Sequence, residues 1–191
     1  KNSLELFEQA VASYKLSQCL SKPDNELYHA AFYFALHRFF SGEDFPLERL
    51  YETSPEMLFE QFYLYCQKHA EVLKDAKILQ RNDPAAGVLL AVVFVQEEKK
   101  SARRAACETV LKQRADVSYL KFLSGLAKTY PQLLELMFVL VESKDVWSEI
   151  YLSDLLAAYC SRPVKSTEEF AVIYKWLERL ADPVAVGKHL P

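Results

Sequence analysis

The chain has 191 residues, 51% hydrophobic and 26% charged, a balance that supports a buried core and excludes a disordered polymer. The formal net charge is −3 and the sequence pI about 5.9, so global charge gives no support for coating DNA or anionic lipid. Only four glycines occur (Gly42, Gly87, Gly125 and Gly187), with no Asn-Gly or Asp-Gly pair, which argues against hairpin-rich sheets and against phosphate-cradling loops.

In chain order, Leu4, Phe7, Val11 and Tyr14 recur at helical spacing and predict a first amphipathic helix. After Pro23, residues 27–40 are apolar almost all round, which predicts a helix surrounded by others, ended by Ser41-Gly42. Pro46 to Glu52 reads as a short helical turn. Ser54-Pro55 then pairs a capping residue with a proline at the first helical position, where its missing N–H has no partner to lose. From there Leu58, Phe62, Tyr65, Cys66, His69, Val72, Leu73 and Ala76 form one apolar face, with Glu60, Gln61 and Gln67 off it.

Asp83-Pro84 starts a buried helix to about Glu98, and a basic, alanine-rich helix over about 101–114 reads as a continuation or close neighbour of it. Tyr119, Leu123, Leu126 and Tyr130 mark the next helix. Thr129-Tyr130-Pro131 opens another, apolar over 131–142 and expected to be central. Trp147, Tyr151, Leu155 and Ala158 form a further stripe. A capping box at Ser166-Thr167-Glu168-Glu169 precedes the last long one: Phe170, Ile173, Tyr174, Leu177 and Leu180. Asp182-Pro183 fits one more helix start.

These signals predict an all-α fold of about nine to eleven helices joined by short connections. The architecture is either an irregular multi-helix bundle or a short α-solenoid of HEAT- or armadillo-like helix pairs, although no repeat consensus is present. Residues 1–191 read as a single domain; if it subdivides, the natural parts are 1–80 and 84–191. The longest apolar run, 85–95, is shorter than the roughly 20 residues a spanning helix needs, so no membrane span is expected. Cys19, Cys66, Cys107 and Cys160 lie far apart with no Cys-x-x-Cys pair, and read as reduced thiols of an intracellular protein, cytoplasmic or nuclear; two disulfides in a secreted chain are the alternative.

Motifs for chemistry are weak. Glu26-Leu27-Tyr28-His29 is a Glu-x-x-His on a helix, but none of His37, His69 or His189 repeats it, and a di-iron centre needs two copies. Cys66 and His69 are three apart, without the second pair that structural zinc requires. Nucleophile elbow, Walker and dinucleotide motifs are absent, so no enzyme, cofactor or metal is expected. A helix-turn-helix reader of DNA is disfavoured, because the first 45 or so residues carry few basic groups and 32–40 is too apolar to lie in a groove.

The sharpest surface feature is a run of cations: Lys99, Lys100, Arg103, Arg104, Lys112 and Arg114, broken only by Glu108. Projected at 100° per residue, Lys99, Lys100, Arg103 and Arg114 share one side, with Arg104 at its edge and Lys112 away from it. This face could dock an acidic peptide, a phosphopeptide or a nucleic-acid backbone, or serve only as a solvated surface compensated by Glu97 and Glu98. Trp176, beside Val172 and Arg179 at the margin of the last stripe, is a second candidate partner contact, since Trp and Arg are frequent at binding hot spots. The expected function is accordingly a non-enzymatic helical protein-interaction module, a scaffold or adaptor subunit of a larger complex. The alternative is a regulator or small-ligand binder with its pocket between helices.

Overall fold

A computed structural model describes residues 2–20 and 25–142, together with Thr167, Phe170, Ala171, Tyr174, Leu177 and Glu178. All regular structure among the described residues is helical, and the protein is an all-α multi-helix bundle. Nine α-helices are described: α1 (Ser3–Cys19), α2 (Asn25–Phe40), α3 (Leu47–Thr53), α4 (Pro55–Lys68), α5 (Ala76–Gln80), α6 (Pro84–Gln96), α7 (Ala102–Arg114), α8 (Val117–Ala127) and α9 (Leu133–Glu142), with a 3₁₀ turn at Ala70–Lys74. No described helix is long and apolar enough to cross a membrane.

Helix starts follow the capping chemistry of the sequence. The side chain of Asn2 accepts from the Glu5 N–H at 2.8 Å, Ser54 from Met57 at 3.1 Å, Asp83 from Ala86 at 3.1 Å and Asp116 from Tyr119 at 2.8 Å. Pro55 and Pro84 occupy the first helical turn, as their position after a cap residue predicts. Helix α2 ends in a Schellman motif. The Glu43 N–H reaches back to the Arg38 carbonyl, the Gly42 N–H reaches Phe39, and Gly42 takes φ +93°.

The chain divides into two compact units, Lys1–Cys107 and Glu108–Pro191. In the first, α1 packs on α2, α2 on α4 and α4 on α6, while α3 and α5 also pack on α6. Helix α6 is the centre of this unit: Ala85, Ala86 and every residue from Val88 to Phe94 are buried. An aromatic seam joins the helices, with Phe7 edge-on to Phe32 and Phe45, Tyr14 stacked on Tyr28, and Phe40 stacked on both Phe62 and Tyr65. Helix α6 packs on α3, α4 and α5, and the division between units falls within α7. In the second unit α8 packs on α9 through Leu120, Leu123 and Leu126 on one helix and Leu133, Leu136, Met137 and Leu140 on the other.

Four expectations are corrected. The apolar face predicted to run from Leu58 to Ala76 as one helix is broken: α4 stops at Lys68, His69 caps it, and Val72 and Leu73 are buried from the 3₁₀ turn instead. Gln61, read as lying off that face, is 5% exposed. Helices α6 and α7 are not continuous, because Glu97 ends the first and a turn over residues 98–101 precedes the second. Helix α2 is not enclosed by neighbours, since His29, Ala30 and His37 are exposed and Tyr33 and Phe34 half-buried. The stripes led by Trp147 and the helix start at Asp182-Pro183 lie outside the described residues. So do Cys160, Trp176 and His189.

Candidate functional site

The exposed side of α2 forms one wall of a groove. His29, Ala30, Tyr33, Phe34 and His37 recur at helical spacing along it. Gln61, Leu64 and Lys68 of α4, with His69 at its C-cap, form the other wall. The groove is open to solvent and about 620 Å³ in volume. It exists because α2 and α4 are packing neighbours whose apolar stripes meet below, while the residues one step round each helix are left facing out.

Its floor is aromatic. Tyr33 meets Tyr65 edge-on at 5.3 Å between ring centroids, and the His69 ring stacks on Tyr65 at 4.4 Å. The Tyr65 hydroxyl lies 3.4 Å from His37 Nδ1, and the His37 and His69 rings are 6.4 Å apart. The Lys68 ammonium sits over Tyr33 at 5.4 Å, a cation–π contact that holds a positive charge against the floor. Gln61 is buried at the base, and no hydrogen bond from its amide reaches a described residue. Glu71 approaches His69 Nδ1 at 3.5 Å from outside the groove lining. None of the described lining side chains is a carboxylate.

Burial, and secondarily Glu71, push the Cys66 thiol up to about 12 from its ordinary 9.0, so it is protonated at neutral pH and no nucleophile. Cys66 faces the core while His69 lines the groove, which separates a pair that spacing alone puts on one face. Among the described residues, no group of three or more His, Cys, Asp and Glu side chains is gathered closely enough to hold a metal.

The basic run is dispersed among several tasks. Lys99 and Lys100 are exposed in the turn before α7, so a helical projection does not apply to them. Arg103 donates to the Lys74 carbonyl at 3.0 Å, and its Nε lies 3.7 Å from Glu97. It thereby ties the start of α7 to the end of the 3₁₀ turn and to the end of α6. Arg104 is only 6% exposed, with its guanidinium 3.9 Å from the Phe94 ring centroid. Arg114, at the end of α7 in the second unit, is exposed.

The groove was the feature that spacing missed. Its signal is His29, Tyr33 and His37 at intervals of four, which puts polar aromatic groups on one edge of an otherwise apolar helix. No family model, curated protein or solved structure matches the chain.

Proposed function

We propose that the protein is a non-enzymatic helical interaction module, a scaffold or adaptor subunit within the cell, whose groove between α2 and α4 receives a segment of a protein partner. The observation that supports this is the half-buried aromatic wall of Tyr33 and Phe34 opposite Leu64, which is 43% exposed. Large apolar side chains left at a concave surface gain free energy when a partner covers them, at roughly 25 cal/mol per Å² of apolar area. Helical grooves of this kind take an amphipathic segment through a few spaced anchors. An intracellular setting is supported by Cys19 and Cys66, both free thiols. Lys99 and Lys100 are offered as an auxiliary contact that orients an acidic partner and speeds its encounter.

A photo-crosslinking amino acid at Leu64, in the full chain expressed in its own cells, tests this reading. A discrete crosslinked protein at Leu64, and none with the same probe at exposed Lys15 of α1, is the expected result. Equal or no products at the two positions would overturn it. The small-ligand reading keeps one observation in its favour, a volume within the ~300–1,000 Å³ range of ligand sites. Native mass spectrometry showing a bound small molecule, displaced by no protein, would select it.

A further inference from the structure

We infer that the groove between α2 and α4 is selective for an acidic segment with apolar anchors; this rests on the interaction reading above and names the partner's chemistry. Two observations carry it. First, the polar side chains that line the groove can all donate hydrogen bonds: the imidazoles of His29, His37 and His69, the Tyr33 hydroxyl, the Gln61 amide and the Lys68 ammonium. No carboxylate lies among the described lining residues, in a chain whose net charge is −3. A surface of donors with a standing positive charge is complementary to carboxylates and carbonyls, and it repels a basic segment. Second, Gln61 is nine-tenths buried at the groove base, and its amide, without a described partner, still reaches solvent. A ligand carbonyl or carboxylate can therefore take the place of water on it.

Dimensions favour a short peptide. From 29 to 37 on α2 and from 61 to 69 on α4, each wall is eight residue steps long. That is about 12 Å, or two turns of a bound helix. Apolar residues of the segment then rest on Tyr33, Phe34 and Leu64, while its acids face Lys68 and the histidines. Nucleic acid is the poorer match, because Lys68 is the single permanent cation among the described lining residues and phosphate-backbone binding draws on many.

A random peptide library of about twelve residues displayed on phage, a length that exceeds two helical turns, is panned against the full chain. Enriched peptides are then measured by fluorescence polarisation against the wild type and against Lys68→Glu, Leu64→Asp and the control Lys15→Glu. The expected peptides are acidic, with apolar residues three or four apart. Their binding weakens about tenfold or more with Lys68→Glu and with Leu64→Asp, and is unchanged with Lys15→Glu. Lys68, Leu64 and Lys15 are all exposed, and an unchanged helical circular dichroism spectrum confirms that each variant is folded. Enriched peptides that are neutral or basic but still fail on Leu64→Asp would overturn the acidic assignment and leave the interaction module standing. Peptides indifferent to both groove variants, or no enrichment at all, would overturn the groove as the site. An oligodeoxythymidine probe that binds as tightly as the peptides and is lost with Lys68→Glu would replace the protein segment with nucleic acid.

Discussion

The guanidinium of Arg104 lies 3.9 Å from the centroid of the Phe94 ring and is almost wholly screened from water. Phe94 itself is fully buried near the end of α6, so Arg104 acts as a lid over the core of the first unit. A desolvated cation–π contact contributes about 2 kcal/mol, and the aliphatic stem adds packing. Arg104→Ala is therefore expected to lower unfolding stability by about 2–3 kcal/mol, read as a lower urea midpoint at constant slope. Lys100→Ala, in the exposed turn, should change it by less than about 0.5 kcal/mol. Equal, small effects at both positions would return Arg104 to the surface. Charge reversal of the basic run as a docking test is thus clean at Lys100, because at Arg103 and Arg104 it also attacks the fold.

Gly42 ends α2 with φ +93°, a conformation that costs an L-residue roughly 1–2 kcal/mol. Nothing lies within 4 Å of the Cβ that alanine would add, so the penalty of Gly42→Ala is conformational and not steric. A loss of about 1 kcal/mol in chemical denaturation is expected, with Gly42→Asn falling between the two because Asn tolerates the left-handed region. At Gly125, in the interior of α8 and also open at Cβ, alanine should instead stabilise by about 0.5–1 kcal/mol.

Cys66 supplies a pH dependence whose sign is fixed. Its thiol is raised from 9.0 to about 12 by burial, so between those values the folded state holds a proton that the unfolded chain has released. The contribution is fully present below pH 9 and is lost as pH rises towards 12, at up to about 1.4 kcal/mol per pH unit. Tyr28 and Tyr65, both raised chiefly by burial, act in the same alkaline direction. Cys66→Ala should flatten part of the alkaline decline in stability while leaving a tyrosine component. A thiol reagent at pH 8 should modify exposed Cys19 in the native protein and reach Cys66 only on unfolding. An identical alkaline slope in Cys66→Ala and wild type would remove the thiol from the account.

Helix boundaries were legible because capping is local chemistry. Ser54-Pro55 and Asp83-Pro84 carry their instruction within two residues, and both helices begin there. The groove was not legible for the opposite reason. Apolar spacing along residues 27–40 reports that a helix has greasy surface on several sides, but not which sides find a neighbour. Phe32 and Leu36 meet one and are fully buried, while Tyr33 and Phe34, a step round the same helix, are left half-buried at the groove. Gln61 shows the same limit from the polar side, for its position under α2 is a tertiary fact that its residue type does not announce. The break at His69 escaped because burial resumes at Val72 and Leu73, which keeps the apolar rhythm nearly intact across a change of helix type.

The last apolar stripe carries the sharpest reversal and a direct test. Phe170, Tyr174 and Leu177 recur at helical spacing and were expected to point inward, yet they are 59%, 55% and 47% exposed. Thr167, Ala171 and Glu178 are exposed as well. A half-exposed leucine has little buried area to forfeit on replacement, whereas a core leucine truncated to alanine costs about 2–5 kcal/mol. Leu177→Lys should therefore leave the unfolding free energy within about 0.5 kcal/mol of wild type, and Leu123→Ala, fully buried in α8 of the same unit, should cost several times more. If Leu177→Lys proves as damaging as Leu123→Ala, the face is buried in the folded chain and the inward reading of the stripe is restored. If it is silent, the three apolar side chains are held outward at no cost to folding.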